Sequence, residues 1–218
     1  EKQKLEQRWP AAVKFIIDND LNEIFEGPEQ DIGIILEGGF YNVVIRALQM
    51  LGLADSLGHT QIPLYVMNVT YPLVDEQLVQ FARTKIAVLM IEEGQPNYIE
   101  QSLNKIFNDA DLTCKISGKD VLPVAGEYTG QVMKDGIKAF VAKYKTDLVK
   151  YDDLDASVAA LSQLAISPEE LNGAIPARPP GLCTGCPERP FFAAMKMLEK
   201  DYGEIHISSD IGCNSFGT

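Results

Sequence analysis

The chain has 218 residues, of which 19 are Lys or Arg and 31 are Asp or Glu, so its formal net charge is −12. This balance argues against nucleic acids and anionic membrane surfaces as partners, because both are bound largely through Lys and Arg. The 46% hydrophobic content is typical of a globular protein with a substantial core. No apolar run approaches the roughly 18 residues that a membrane span needs. Four cysteines are too few for a disulfide scaffold and favour a reducing, cytoplasmic compartment.

Residues 1–30 are polar with a modest apolar stripe at helical spacing, which predicts an N-terminal helical linker. The chain begins with Glu1-Lys2, without an initiator Met or an apolar signal core, and this favours a segment excised from a longer protein. From residue 31 the pattern changes. A short apolar run over 32–36 ends in Glu37-Gly38-Gly39 and is followed by apolar residues at helical spacing, which is typical of a βα unit.

The same alternation of short apolar runs and helical segments continues to residue 148. Further strands are predicted over 63–69, 86–91 and 112–116, and helices follow them, with Asn97 and Thr129 as candidate N-caps. The run over 86–91 is apolar throughout, as in strands that are covered on both faces. Residues 31–148 are therefore predicted to form an α/β domain with a mostly parallel sheet.

The last third of the chain has a different organisation. Residues 149–182 are acidic and then proline-rich, which predicts a linker. Residues 183–218 comprise a cysteine-containing loop, an amphipathic helix through Phe191 and Leu198, a strand over 204–208 and a final loop. This order predicts only the start of a second α/β domain, since so few residues cannot bury a core unaided.

Three of the four cysteines, Cys183, Cys186 and Cys213, lie in this last part of the chain. They could bind structural zinc, with His206 as a fourth ligand, or an iron–sulfur cluster whose fourth ligand lies elsewhere. Cys183 and Cys186 could also form a redox dithiol, which would lower the pKa of Cys183. Finally, all three could be buried thiols that line a pocket. The residues alone leave these four interpretations open.

Two other motifs favour chemistry less strongly. The Glu37-Gly38-Gly39 turn matches neither the dinucleotide fingerprint nor the phosphate loop, so a turn that needs small residues is the favoured interpretation. Glu92 and Glu93 end a strand, where α/β domains often place functional groups. However, adjacent strand residues point to opposite faces, so we expect no working carboxylate dyad. His59, in a loop, is expected to be solvated or capping.

The segment Arg178-Pro-Pro-Gly-Leu-Cys-Thr-Gly-Cys-Pro-Glu-Arg189, followed by Ser209-Asp-Ile-Gly-Cys213, resembles the alpha subunit of the indolepyruvate ferredoxin oxidoreductases. These are 2-oxoacid oxidoreductases that depend on thiamine diphosphate. The segments Asp31-Ile-Gly-Ile-Ile35 and Thr70-Tyr-Pro-Leu73 are also similar to that family, so the resemblance covers nearly the whole chain.

The resemblance implies a transketolase C-terminal-like domain over 31–148 and the start of a thiamine-diphosphate-binding domain over 183–218. It implies no catalytic residue within the chain. The cofactor, with Mg²⁺, would be contacted by residues of the two cysteine loops, namely Cys183, Gly185, Cys186, Asp210, Gly212 and Cys213. By the same resemblance, Cys183, Cys186 and Cys213 would supply three ligands of a 4Fe-4S cluster.

The implied reaction is the oxidative decarboxylation of indolepyruvate or another aryl pyruvate with coenzyme A, with electrons passing to ferredoxin. The implied partners are ferredoxin and a beta subunit, in an oligomer. The resemblance also implies that the Glu that activates the cofactor and a Gly-Asp-Gly segment that binds Mg²⁺ and diphosphate lie outside these 218 residues. The isolated chain is therefore expected to be inactive. The alternative is a non-catalytic α/β interaction module with a structural zinc thiolate site.

Overall fold

The computed structural model describes residues 1–148, 181, 182, 184–204, 206 and 212. The chain divides into two compact units, Glu1–Ala159 and Ala160–Thr218. The predicted linker over 149–182 lies almost entirely outside the described residues, and the domain boundaries given above stay predictions.

A five-stranded sheet forms the centre of the described part of the first unit. Its strands are β1 (Glu23–Phe25), β2 (Ile32–Glu37), β3 (Leu64–Met67), β4 (Ala87–Ile91) and β5 (Lys115–Ser117). They lie in the order β1-β3-β2-β4-β5. The pairs β2–β3, β2–β4 and β4–β5 are parallel, whereas β1 is antiparallel to β3. The predicted α/β class with a mostly parallel sheet is therefore confirmed.

Helices connect the parallel strands. The chain begins with a short π-helix over Lys4–Arg8 and has a single 3₁₀ turn at Gly38–Phe40 before the second helix. The α-helices of the first unit are α1 (Trp9–Asp18), α2 (Tyr41–Met50), α3 (Asp75–Ala82), α4 (Tyr98–Asp109) and α5 (Gly130–Tyr144). As predicted, Thr129 caps α5, since its hydroxyl accepts the N–H of Val132 at 3.4 Å.

The sheet is buried on both faces because its strands are apolar at successive positions. Ile34 lies in one hydrophobic cluster with residues of α2 and with Phe140 of α5. Its neighbour Ile35 points to the opposite face and lies in a second cluster with residues of α3 and with Leu103 of α4. All four of these side chains are fully buried. The period of two along a strand thus assigns two helices to each face.

Strand β1 corrects the expectation that residues 1–30 are only a helical linker. Helix α1 ends at Asp18, and Glu23–Phe25 then pairs antiparallel with β3. The buried Asn22 fixes the entry to β1, because its amide donates to the hydroxyl of Tyr65 at 3.1 Å and its carbonyl accepts the N–H of Val69 at 3.0 Å. A three-residue strand is too short to show a periodic pattern, and these long-range contacts determine it instead.

Strand β5 begins three residues later than predicted. The prediction began at Leu112, but the N–H of Leu112 donates to the carbonyl of Phe107 at 2.9 Å and so belongs to the end of α4. Asp111 adopts a left-handed conformation with φ +52° at this turn. The chain is therefore extended and able to pair only from Lys115 onward.

In the second unit the structure describes one helix, α6 (Glu188–Tyr202). It matches the amphipathic helix predicted through Phe191 and Leu198. None of its residues is buried, and Phe191 is 58% and Leu198 47% exposed. For the strand predicted over 204–208, Glu204 and His206 have no regular secondary structure, and the other positions lie outside the described residues.

Candidate functional site

The carboxyl ends of β2 and β4 form the part of the sheet where α/β domains usually bind ligands. The chain leaves β2 into α2 on one face of the sheet and leaves the adjacent β4 into α4 on the other. Because the two connections diverge, a crevice opens between these strand ends. Glu37 is the last residue of β2, and Glu92 and Glu93 directly follow β4.

Glu92 is 7% exposed and lies at the start of α4, where its side chain caps that helix. Its two carboxylate oxygens accept the N–H groups of Ile99 and Glu100, each at 3.0 Å. A carboxylate at a helix N-terminus satisfies free N–H groups and interacts favourably with the helix dipole. The predicted cap Asn97 occupies the N-cap position but makes no capping hydrogen bond with its side chain. The residue that caps the helix is therefore on the preceding strand end.

The side chain of Glu93 binds to a different loop, the one that precedes α5. One of its carboxylate oxygens accepts the N–H of Tyr128 at 2.6 Å, in the segment just before α5. The expectation that Glu92 and Glu93 form no dyad is thus supported by their contacts, since each carboxylate accepts hydrogen bonds from a different part of the backbone. Both residues hold loops at the carboxyl edge of the sheet.

Lys119, which the sequence did not single out, connects these loops. Its ammonium donates to the backbone carbonyl of Glu92 and, at 2.7 Å, to the hydroxyl of Tyr128. Its backbone N–H donates to the carboxylate of Glu100 at 3.2 Å. Partial burial lowers the pKa of Lys119, although the nearby glutamates, Glu92 foremost, act in the opposite direction. One cation thus links the β4–α4 loop to the β5–α5 loop.

Tyr128 completes the network as a buried phenol. Its hydroxyl donates to the carbonyl of Pro123 at 2.8 Å, and its ring lies 5.9 Å from that of Phe40, between centroids. Burial raises the pKa of Tyr128 to about 12, and the glutamates Glu93, Glu100 and Glu92 contribute to the rise. The phenol is therefore neutral at physiological pH and can act as a hydrogen-bond donor.

Glu37 is a carboxylate at this edge whose pKa is shifted. It is half-buried, and burial, followed by the nearby charge of Glu92, raises its pKa above the usual value for a glutamate. The next residue, Gly38, lies so close to the side chain of Asn68 that a Cβ atom would collide with the amide oxygen. A small residue is therefore favoured at this turn, as the sequence predicted, because an added Cβ would force the exposed Asn68 side chain to move.

The sequence-predicted cofactor and metal residues lie in the second unit, and the structure describes three of them. Gly185 and Cys186 occupy the turn before α6, and Gly212 is the third described residue of the predicted set. Cys183, Asp210 and Cys213 lie outside the described residues. Among the residues that the structure does describe, no group of three or more His, Cys, Asp or Glu side chains could hold a metal ion. The cysteine site therefore stays a prediction.

The described part of the turn before α6 contains a free thiol and a glycine with positive φ. Cys186 is a half-buried free thiol, and its carbonyl accepts the N–H of Arg189 in the first turn of α6 at 3.2 Å. Gly185 has φ +76°, a conformation that favours glycine, and no atom of the residues that the structure describes lies within 4 Å of where its Cβ would be.

The geometry defines a mostly parallel α/β domain with a network of polar side chains at its switch point, together with a separate cysteine-containing turn. No family model matches the sequence. Across the parts of the chain that the structure describes, every helix is too short or too polar to cross a membrane.

Sequence comparison with curated proteins gives a more specific similarity than the fold does. The chain is similar to the indolepyruvate oxidoreductase subunit IorA of Methanothermobacter thermautotrophicus, with 27% identity over 92% of this chain and 29% of the relative. The IorA subunits of Archaeoglobus fulgidus and Thermococcus kodakarensis are 27% and 29% identical over 97% and 88% of this chain. The resemblance inferred from the sequence motifs is thereby confirmed. The chain spans about 30% of the length of these relatives.

Two solved structures align with part of this chain. A split-gene transketolase, described as an inactive beta4 tetramer, has a TM-score of 0.41 and 19% identity, covering 57% of this chain and 42% of the other. A 2-oxoglutarate:ferredoxin oxidoreductase from Magnetococcus marinus has a TM-score of 0.40 and 18% identity, covering 54% of this chain and 19% of the other.

Proposed function

We propose that this chain forms part of a 2-oxoacid:ferredoxin oxidoreductase that acts on indolepyruvate or another aryl pyruvate. The observation that carries the proposal is the sequence similarity to indolepyruvate oxidoreductase subunits, which extends over 88% to 99% of the chain in the relatives compared. The products would be an acyl thioester of coenzyme A and carbon dioxide, with electrons passing to ferredoxin. Because the relatives are named as subunits, we also propose a second subunit as a partner.

The proposed cofactor is thiamine diphosphate with Mg²⁺, bound at the loops that carry Gly185, Cys186, Asp210 and Gly212. Gly185 fits this role, because its φ of +76° favours glycine and a backbone without a Cβ lets a bound group approach closely. When bound, thiamine diphosphate supplies the carbanion chemistry that 2-oxoacid decarboxylation needs. The turn before α6 would line the cofactor and exclude water from it. The transketolase C-terminal-like domain would act as a scaffold.

The proposed electron acceptor near the cofactor is a 4Fe-4S cluster with Cys183, Cys186 and Cys213 as three of its ligands. Cluster ligands are thiolates, and Cys186 is present as a free, half-buried thiol. The other free cysteine in the described residues, Cys114, is buried in the first unit, and burial raises the pKa of its thiol to about 11. That environment disfavours the thiolate, so Cys114 serves as a matched control.

The metal content of the chain tests the cluster directly. After anaerobic purification we expect iron and acid-labile sulfide, lost on Cys186→Ser or Cys213→Ser but retained on Cys114→Ser. Zinc without sulfide would contradict the cluster and favour the structural zinc module. Unchanged iron in the Cys186→Ser protein would remove this cysteine from the ligand set.

Activity tests the substrate. We expect the 218-residue chain alone to be inactive with indolepyruvate, coenzyme A, thiamine diphosphate and a viologen acceptor. A complete subunit that contains this sequence, produced together with its partner subunit, should reduce the viologen faster with indolepyruvate than with pyruvate. A preference for pyruvate or 2-oxoglutarate would overturn the aryl pyruvate assignment.

A further inference from the structure

A groove in the first unit, distant in sequence from Cys183, Cys186 and Cys213, has features of a binding site for a small aromatic cation. It lies between α1, the β3–α3 loop and α4, and its volume is about 430 Å³. Ligand sites typically have volumes of roughly 300–1,000 Å³. The apolar lining includes Leu73 and Ile106, and Trp9 and Tyr71 form the aromatic end. We call this feature the α1–α4 groove.

The aromatic end has an available ring. The rings of Trp9 and Tyr71 meet edge to face, with centroids 4.9 Å apart and planes at 83°. Tyr71 is nevertheless 75% exposed, so this contact leaves much of its surface open to the groove and the solvent. An exposed aromatic face can pack against a further ring or attract a cation.

The rim of the groove carries negative charge. Asp75 and Glu76 lie in the first turn of α3 and line the groove, and both are exposed. Neither carboxylate makes a hydrogen bond or a salt bridge to any residue that the structure describes. Lys105 also lines the groove; its ammonium pairs with Asp109, and this hydrogen bond, with a smaller contribution from the charge of Asp75, raises the pKa of Lys105. The groove lining thus has two carboxylates and one ammonium. The net charge that a ligand meets is therefore negative.

We propose that the α1–α4 groove binds an arylalkylammonium ion, with its ring against Trp9 and Tyr71 and its ammonium at Asp75 and Glu76. The apolar floor favours the ring and the methylene carbons, and the two carboxylates favour the cation over an anion of the same shape. A second copy of this chain is a poor occupant, because each copy has a net charge of −12. The inference is independent of the proposed oxidoreductase function.

Trp9 is the single tryptophan of the chain and therefore reports directly on the groove. We expect 2-phenylethylammonium to change the Trp9 fluorescence of the full chain in a saturable manner at millimolar concentrations. 3-Phenylpropionate, which has the same ring but the opposite charge, and butylammonium, which lacks the ring, should bind at least fivefold more weakly. Equal binding of the cation and the anion, or no change up to about 10 mM, would overturn the proposal.

The double variant Asp75→Asn, Glu76→Gln should weaken binding of 2-phenylethylammonium roughly tenfold. The control Glu26→Gln, Glu127→Gln removes two exposed charges that do not line the groove and should leave binding unchanged. Added salt tests the same electrostatics without mutation. Binding to the unaltered chain should weaken between about 0.05 and about 0.5 M salt. An affinity that responds neither to salt nor to the double variant would contradict the role of the carboxylates.

Discussion

Strand β4 of the first unit and helix α6 of the second have equally clear apolar patterns but opposite environments. All five residues of β4 are buried, whereas α6 has none. Strand β4 is buried because two helices pack on each face of the sheet, α2 and α5 on one face and α3 and α4 on the other. In α6, Phe191 and Tyr202 remain 58% and 79% exposed. An apolar pattern therefore predicts the type of an element, but the surroundings decide whether that pattern contributes to stability.

The largest expected effect is in the core of the first unit. Leu103 of α4 is fully buried, so Leu103→Ala should lower the free energy of unfolding by about 2–5 kcal/mol, through lost burial and the cavity left behind. Leu198→Ala in α6 makes the same chemical change at a 47% exposed position and should cost less than about 0.5 kcal/mol. Urea unfolding followed by far-UV circular dichroism, which reports the helices of both units, measures both. Similar midpoints for the two variants would contradict the difference in burial.

The second expected effect is at the carboxyl edge of the sheet. Lys119→Met removes the ammonium that hydrogen-bonds to the carbonyl of Glu92 and the hydroxyl of Tyr128. Leaving partly buried groups without a partner costs about 1–3 kcal/mol, so urea unfolding should show a loss of that size. Lys115→Met is the matched control, because Lys115 is exposed and near in sequence. A loss equally large for Lys115→Met would mean that the network does not stabilise the edge.

A smaller effect separates the two candidate caps of α4. Glu92→Ala removes the acceptor for the N–H groups of Ile99 and Glu100 and should cost about 1–2 kcal/mol. Hydrogen exchange of these two amides should become faster. Asn97→Ala should have a smaller effect on both amides, because the side chain of Asn97 makes no capping bond. A larger effect of Asn97→Ala than of Glu92→Ala on these amides would identify Asn97 as the cap, as the sequence predicted.

The sequence predicted the parallel strands because each is a continuous apolar run between turn residues. It failed at β1, at the start of β5 and at the cap of α4, where contacts between distant residues decide the structure. The role of Lys119 was not predicted from the sequence for the same reason. A lone lysine in a loop has no sequence pattern, and its role depends on Glu92 and Tyr128, which come close only in the folded chain. The clearest sequence motif comprises Cys183, Cys186 and Cys213. Of these, Cys183 and Cys213 lie outside the described residues.

Glu37 gives the smallest expected effect and the most informative one about the crevice. Burial and the charge of Glu92 raise its folded-state pKa above the unfolded value. A group with a raised pKa stabilises the fold below its unfolded pKa, and this contribution is lost as the pH rises through the folded pKa. At neutral pH the ionised Glu37 is therefore unfavourable. Glu37→Gln should increase the free energy of unfolding at pH 7 by less than about 1 kcal/mol, since a half-exposed charge is well screened.

The pH dependence distinguishes this cause from a general change in packing. The advantage of Glu37→Gln should shrink below about pH 4, where Glu37 is protonated in the folded and unfolded states and resembles the amide. Urea unfolding at both pH values measures the difference, with Glu127→Gln as an exposed control. If Glu37→Gln is less stable than the unaltered chain at pH 7, the attraction of the ionised carboxylate to Lys119 outweighs its burial. The crevice would then favour an anion at Glu37 rather than a proton.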